Sequence, residues 1–248
     1  MQILPGAEPW SFDGSSVGVL VCHGFTGTTQ SVRPVAQRCA EEGWTVRMPR
    51  LPGHGTTWQD LNRTVWTDWY AEVEVAYAEL QERCSQVVVV GLSLGGSLVT
   101  LLAQEHSDVA GLVLVNPAYA PKDPRLKALP LAKHLVPSLA AIGGDIRKPG
   151  VTELAYDRTP LKSLHSAVRL WRRVSRDLPR VTAPILLMHS PEDHVVEPYS
   201  SELLLARVSS TDVTEILLED SFHVATLDHD AERILEETVA FVRRVSTS

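Results

Sequence analysis

Short charge-free runs rich in β-branched residues alternate along this chain with stretches whose apolar positions recur every three to four residues. Residues 17–22 (VGVLVC), 44–48, 87–90 (VVVV), 111–115, 185–189 and 213–218 read as strands. Between the first two, Val32, Val35, Ala36, Cys39 and Ala40 mark one helical face, closed by Gly43. Trp66, Trp69, Tyr70, Val73, Tyr77, Leu80 and Cys84 mark another, its aromatic residues reading as core. Further helices are predicted over 94–106, over 200–208 and from about residue 228 to the C-terminus. Strand and helix in turn are the pattern of βαβ units around a largely parallel sheet. The regular pattern stops after residue 115 and resumes near residue 180, a gap of roughly 60 residues, too long for a plain connection. It has helical patterning of its own. We therefore expect a single α/β domain over 1–248, carrying an inserted cap over 118–180.

Composition narrows the function classes. The chain has 248 residues, 44% of them hydrophobic, and a net charge of −7. An acidic protein lacks the basic surface that displaces counterions from phosphates, so no nucleic-acid partner is expected. Cys22, Cys39 and Cys84 are too few and too widely spaced for a disulfide framework or a zinc site. The first ten residues, MQILPGAEPW, lack the basic and apolar regions of a signal peptide. The charge-free stretch 87–103 is short for a membrane span and is broken by Gly91, Gly95 and Gly96. A soluble, cytoplasmic protein is the expectation.

The chemistry gathers at strand ends. Gly91-Leu92-Ser93-Leu94-Gly95 fits G-x-S-x-G between a β-branched strand and a helix, where a sharp turn lifts a serine hydroxyl above the sheet. A serine needs a base held by an acid, and in the α/β-hydrolase fold, to which such an elbow points, both follow later on loops after strands, in the order Ser, Asp/Glu, His. The strand 185–189 leads into Ser190-Pro191-Glu192-Asp193-His194, and 213–218 into Glu219-Asp220-Ser221-Phe222-His223. Asp193 and His223 are the candidates for acid and base. Glu192 and His229 are weaker ones, His229 because it falls in the helical pattern, and His194 reads as a neighbour or a solvated residue. The oxyanion hole needs two backbone N–H groups, expected from Leu94 and from Phe25 in the HGFTG loop at 23–27. His23 reads as structural. A serine nucleophile indicates acyl transfer to water with no cofactor and no metal.

The motifs HGFTGT at 23–28, PRLPGHGT at 49–56, GLSLGG at 91–96, EDHVV at 192–196 and HVATLD at 223–228 resemble the bacterial monoacylglycerol lipases and the related thermostable carboxylesterases. The resemblance spans nearly the whole chain, including Ile142-Gly143-Gly144-Asp145 and Glu153-Leu154-Ala155-Tyr156 in the cap. It implies the same triad and oxyanion donors, and that Ile142 and Glu153 help hold a glycerol head group. Many relatives carry Met where this chain has Leu94, and residues 120–139 depart most from the pattern. The function so implied is cleavage of monoacylglycerols, a small-molecule acyl ester partner, to fatty acid and glycerol. The alternative is a broad carboxylesterase for short- and medium-chain esters; thioester, peptide or carbon–carbon hydrolysis would use the same triad. A non-catalytic binding protein on this fold would not need the whole constellation.

Charge is unevenly spread. Residues 118–180 hold 13 Lys+Arg and 5 Asp+Glu, a net of +8, against −15 for the remainder. With Leu126, Leu129, Leu131, Leu135, Val136, Leu139 and Ile142 in the same segment, transient contact of a basic cap with anionic lipid surfaces is one expectation. Pairing of that segment with the acidic remainder would account for the same asymmetry.

Overall fold

The computed structural model describes residues 2–119, 123–141 and 144–247. In chain order the first elements are β1 (Trp10–Phe12), β2 (Val17–Cys22), α1 (Arg33–Glu41), β3 (Thr45–Met48), α2 (Trp58–Leu61) and α3 (Trp66–Gln81). β4 (Gln86–Leu92), α4 (Leu94–Glu105) and β5 (Gly111–Val115) follow. An excursion then carries α5 (Leu129–Leu135), β6 (Ser138–Ala140), β7 (Arg158–Pro160) and α6 (Leu161–Arg176). The chain ends with β8 (Ile185–His189), α7 (Tyr199–Arg207), β9 (Val213–Leu217) and α8 (Ala231–Ser246).

Seven strands form one sheet in the order β1-β3-β2-β4-β5-β8-β9, and β6 and β7 form a separate antiparallel pair. All pairings in the large sheet are parallel except β1 with β3. The alternation explains the layers. Leu20, Val87, Val89, Leu112, Leu114, Ile185 and Leu187 face one core, shared with α3, α4 and α6. Val19, Val21, Val88, Val90, Val113, Val115, Leu186 and Met188 face the other, shared with α1 and α8. Strands covered on both sides are apolar on both, which is why they lack charges. β1 is a three-residue edge strand with little burial and no pattern to predict it from.

α6 ends the excursion by packing into the core. Leu161, Ala167, Leu170 and Val174 on one face are at most 2% exposed, and the Gln104 side chain donates to the Val174 carbonyl at 2.9 Å. The face of α5 is different: Leu131 and Leu135 are 76% and 84% exposed. Among the described residues no helix is long and apolar enough to cross a membrane.

The strand order reverses between β2, which neighbours β3, and β4, which neighbours β5. In open α/β sheets, ligand crevices lie beyond the carboxyl ends of strands at such a switch point.

Candidate active site

Ser93 follows β4 directly and precedes the first turn of α4, with φ +54° and ψ −116°. Its N–H donates to the Val115 carbonyl at 3.0 Å, and its own carbonyl accepts from Ala118 at 3.2 Å. The turn closes only because its neighbours have no side chains. A Cβ on Gly91 would sit 2.5 Å from the Gly95 carbonyl, and one on Gly95 would sit 2.2 Å from the Cys22 carbonyl. The strained backbone costs about 1–3 kcal/mol, which the packed elbow must supply. Among the described residues three non-glycine residues have positive φ: Thr26, Ser93 and Asn116. All three flank strand ends at this edge of the sheet.

The loop after β2 passes directly over the serine. A Cβ on Gly24 would lie 3.3 Å from Ser93 Cβ, and one on Gly27 would lie 2.5 Å from Glu153 Oε1. Of the predicted oxyanion donors, Leu94 follows the serine at the start of α4, and Phe25 sits in the loop whose Gly24 lies against it. His23 is wholly buried; its Nδ1 lies 3.0 Å from the Gly24 carbonyl and its Nε2 accepts the Leu51 N–H at 3.1 Å. Burial pushes its pKa down to about 4, so a neutral imidazole braces the loop.

His223 and Asp193 meet in a hydrogen bond of 2.7 Å from Nδ1 to Oδ2, with side chains 9% and 3% exposed. The other Asp193 oxygen accepts the N–H groups of Val195 and Val196 at 2.8 and 2.7 Å, fixing the carboxylate in its own turn. Burial works against an imidazolium at His223. The hydrogen bond and charge of Asp193, with the charges of Glu153 and Asp145, outweigh burial and raise the pKa above its usual value. The ring's Nε2 is the atom a serine hydroxyl would address. A Ser93–His223 bond is not among those formed by the described residues, and such contacts commonly tighten only around substrate.

Glu153 is half-buried. Desolvation pushes its carboxyl upward, partly offset by His223 and by the Gly144 N–H, 3.4 Å from Oε2. Ile142 lies outside the described residues. The weaker candidates stand apart: Glu192 is exposed and pairs with Arg147 at 3.7 Å. His229 occupies an exposed turn ahead of α8, which begins at Ala231 rather than near residue 228. His194 is mostly exposed yet bound to Asp145, Nδ1 to Oδ1 at 2.9 Å.

Two residues outside the predicted site organise this edge. Asn116, 2% exposed, accepts the Ser190 N–H at 2.7 Å and donates to the His223 carbonyl at 2.8 Å, joining the loops of acid and base. Asp228, 1% exposed, accepts N–H groups from Phe222, His229, Arg147 and Lys148. Burial alone would raise the Asp228 pKa, but those four donors lower it. Asn116 stands outside every motif, and Asp228 closes HVATLD with nothing to mark it apart from its neighbours. A groove of about 550 Å³ beside the excursion, lined by Tyr119, Leu126, Val168 and Trp171, includes none of Ser93, Asp193 or His223.

The chain is similar to known hydrolases along nearly its whole length. The model of the family described as "Serine aminopeptidase, S33" matches residues 16–230. A thermostable monoacylglycerol lipase of Bacillus sp. (strain H-257) is 42% identical over 240 residues, covering 96% of this chain and 95% of that protein. A carboxylesterase of Bacillus subtilis (strain 168) is 26% identical over 244 residues, covering 96% and 97%. A solved structure reported for the metagenome-derived lipolytic enzymes LipS and LipT superposes with a TM-score of 0.95 at 43% identity, over 98% of this chain and 100% of that one. The chain therefore belongs to the serine hydrolase family Hydrolase_4 and has the α/β-hydrolase fold of lipases and esterases.

Proposed function

We propose that this enzyme hydrolyses monoacylglycerols through an acyl-enzyme on Ser93. Ser93 Oγ attacks the ester carbonyl while His223 Nε2 takes its proton. Asp193 holds the other ring nitrogen and stabilises the imidazolium. The N–H groups of Phe25 and Leu94 receive the oxyanion. The C–O bond breaks, glycerol leaves with the proton from His223, and a water activated by the same imidazole releases the fatty acid. No cofactor enters this scheme. The residues 118–180 act as the cap of that centre, with Glu153 on the glycerol side.

One observation carries the substrate: the Glu153 carboxylate, packed against Gly27 and electrically coupled to His223. His223 is the group that protonates the leaving alcohol, so an acceptor beside it suits an alcohol with further hydroxyls. A methyl ester offers it nothing. The similarity to a relative named monoacylglycerol lipase supports the same reading. Hydrolysis of monolauroylglycerol, dilauroylglycerol and methyl laurate by wild type and Glu153→Ala tests it. A hydrogen bond to a charged group is worth roughly 1.5–3 kcal/mol, so the variant should lose about 10–100-fold in kcat/KM on the monoester alone. Equal turnover of glyceryl and methyl esters by both proteins would replace this reading with a general carboxylesterase.

The exposed Leu131, Leu135, Val136 and Leu139, beside Lys127 and Lys133, favour a second reading of the same segment. They suit transient contact with an anionic lipid surface, where such esters reside. The three unpaired cysteines fit a reducing compartment such as the cytoplasm.

A further inference from the structure

We infer that Asp145, in the excursion between β5 and β8, is a positioning residue that sets the place and charge of the histidine base. The inference rests on the Ser93–His223–Asp193 reading above. Asp145 lies 78 residues before His223 and 49 before His194, and it holds the loops of both. Its Oδ2 accepts the His223 N–H at 3.1 Å and the His194 N–H at 3.2 Å. Its Oδ1 meets His194 Nδ1 at 2.9 Å, and its backbone carbonyl accepts the Val224 N–H at 3.0 Å. One side chain thus grips the residue after the acid and the backbone of the base.

The grip is returned from the other side. Asp228, five residues beyond His223, accepts the N–H groups of Arg147 and Lys148 at 2.6 and 2.8 Å. Arg147 also donates to the Glu219 carbonyl at 3.2 Å and stacks over the Phe222 ring at 5.7 Å. Residues 145–148 are therefore joined to the base's loop by bonds in both directions. A catalytic side chain displaced by about 1 Å can cost 10²-fold in rate, so a fixed backbone at His223 has kinetic consequences.

Charge is the second half of the role. Three carboxylates act on the His223 imidazole: Asp193 from the loop after β8, and Glu153 and Asp145 from the excursion. Asp145 is itself faced by the His194 ring, and the neighbouring Arg147 is directed to Glu192 and Glu219. Removing the Asp145 charge should lower the His223 pKa. The acid limb of activity then moves to lower pH.

The variants Asp145→Asn and Asp145→Ala separate geometry from charge. Asparagine keeps an oxygen for the two backbone N–H groups and loses the charge; alanine loses both. On a short soluble ester, with kcat counted per serine labelled by a fluorophosphonate, Asp145→Ala should lose about 10–100-fold in kcat. Its KM should stay within about 3-fold, since the residue is not placed on substrate. Asp145→Asn should keep most of the plateau and shift the acid limb downward, with the His223 imidazole titrating at lower pH by NMR. A merely structural residue would change the melting temperature and leave kcat per labelled serine and the His223 titration unmoved, and that result would overturn the inference. If Asp145→Ala does not fold, the Asp145→Asn titration decides alone. Absence of serine labelling in wild type would instead overturn the hydrolase mechanism, while the imidazole titration still judges Asp145.

Discussion

Replacing Asn116 by alanine removes four hydrogen bonds at one buried point. The amide nitrogen donates to the His223 carbonyl, to the Phe222 carbonyl and to Ser190 Oγ, and the amide oxygen accepts the Ser190 N–H. The Phe222 carbonyl keeps another donor, Ser190 Oγ at 2.9 Å. The Ser190 N–H has no other acceptor among the described residues, and an orphaned buried donor costs about 1–3 kcal/mol. The weakened His223 carbonyl adds about 1 kcal/mol. Asn116 also has φ +43°, where asparagine is at ease and alanine pays roughly 1 kcal/mol more. The sum is about 3–5 kcal/mol. For a chain of this size each kcal/mol lowers Tm by about 2–4 °C, so the expected drop is roughly 6–20 °C. Urea unfolding with an unchanged m-value gives the free energy, and initial rates on a soluble ester give the kinetics. Because both loops of the relay lose their common anchor, kcat should fall by about 10²-fold even well below the melting range. A loss under about 1 kcal/mol together with wild-type kcat would refute the argument that this carboxamide fixes the acid and base loops.

Two further outcomes follow from charge. The base must be neutral to accept the serine proton, and His223 is raised above the ordinary histidine value of about 6.5, so kcat/KM should fall as pH is lowered through a value above 6.5. The same shift means that the stabilising pairing of charged His223 with Asp193 is fully present below about 6.5 and lost as pH rises through the folded-state pKa; an acid limb below 6 in a pH–rate profile would contradict the assignment. Contact of the excursion with lipid should appear as sedimentation with vesicles containing phosphatidylglycerol, weakened by salt and by Leu131→Ser with Leu135→Ser; binding indifferent to anionic lipid and to salt would remove that reading.

Much of this molecule was legible along the chain. The strands 17–22, 111–115 and 185–189 coincide with β2, β5 and β8, because a strand covered on both faces must be apolar at every position. The elbow around Ser93 was legible for a steric reason: Gly91 and Gly95 sit where a Cβ would strike backbone. The expected order of serine, acid and base came from the fold's pattern, applied to the residues after successive strands. What stayed hidden was contact between residues far apart. β1 has one half-buried and two exposed residues and joins the sheet only because β3 offers an open edge. That Asp193, and not Glu192, meets His223 depends on which way a loop turns after β8, and Val195 and Val196 decide it through their N–H groups. Asn116 carries no motif, and Asp145 closes a matched stretch that gave it no role of its own, since each acts by reaching segments 107 and 78 residues away. Periodicity and steric necessity act between neighbours in sequence, so sequence alone reveals them. The hydrogen bonds that seat the acid and base loops join distant strand ends, and only the order of strands in the folded sheet brings those ends together.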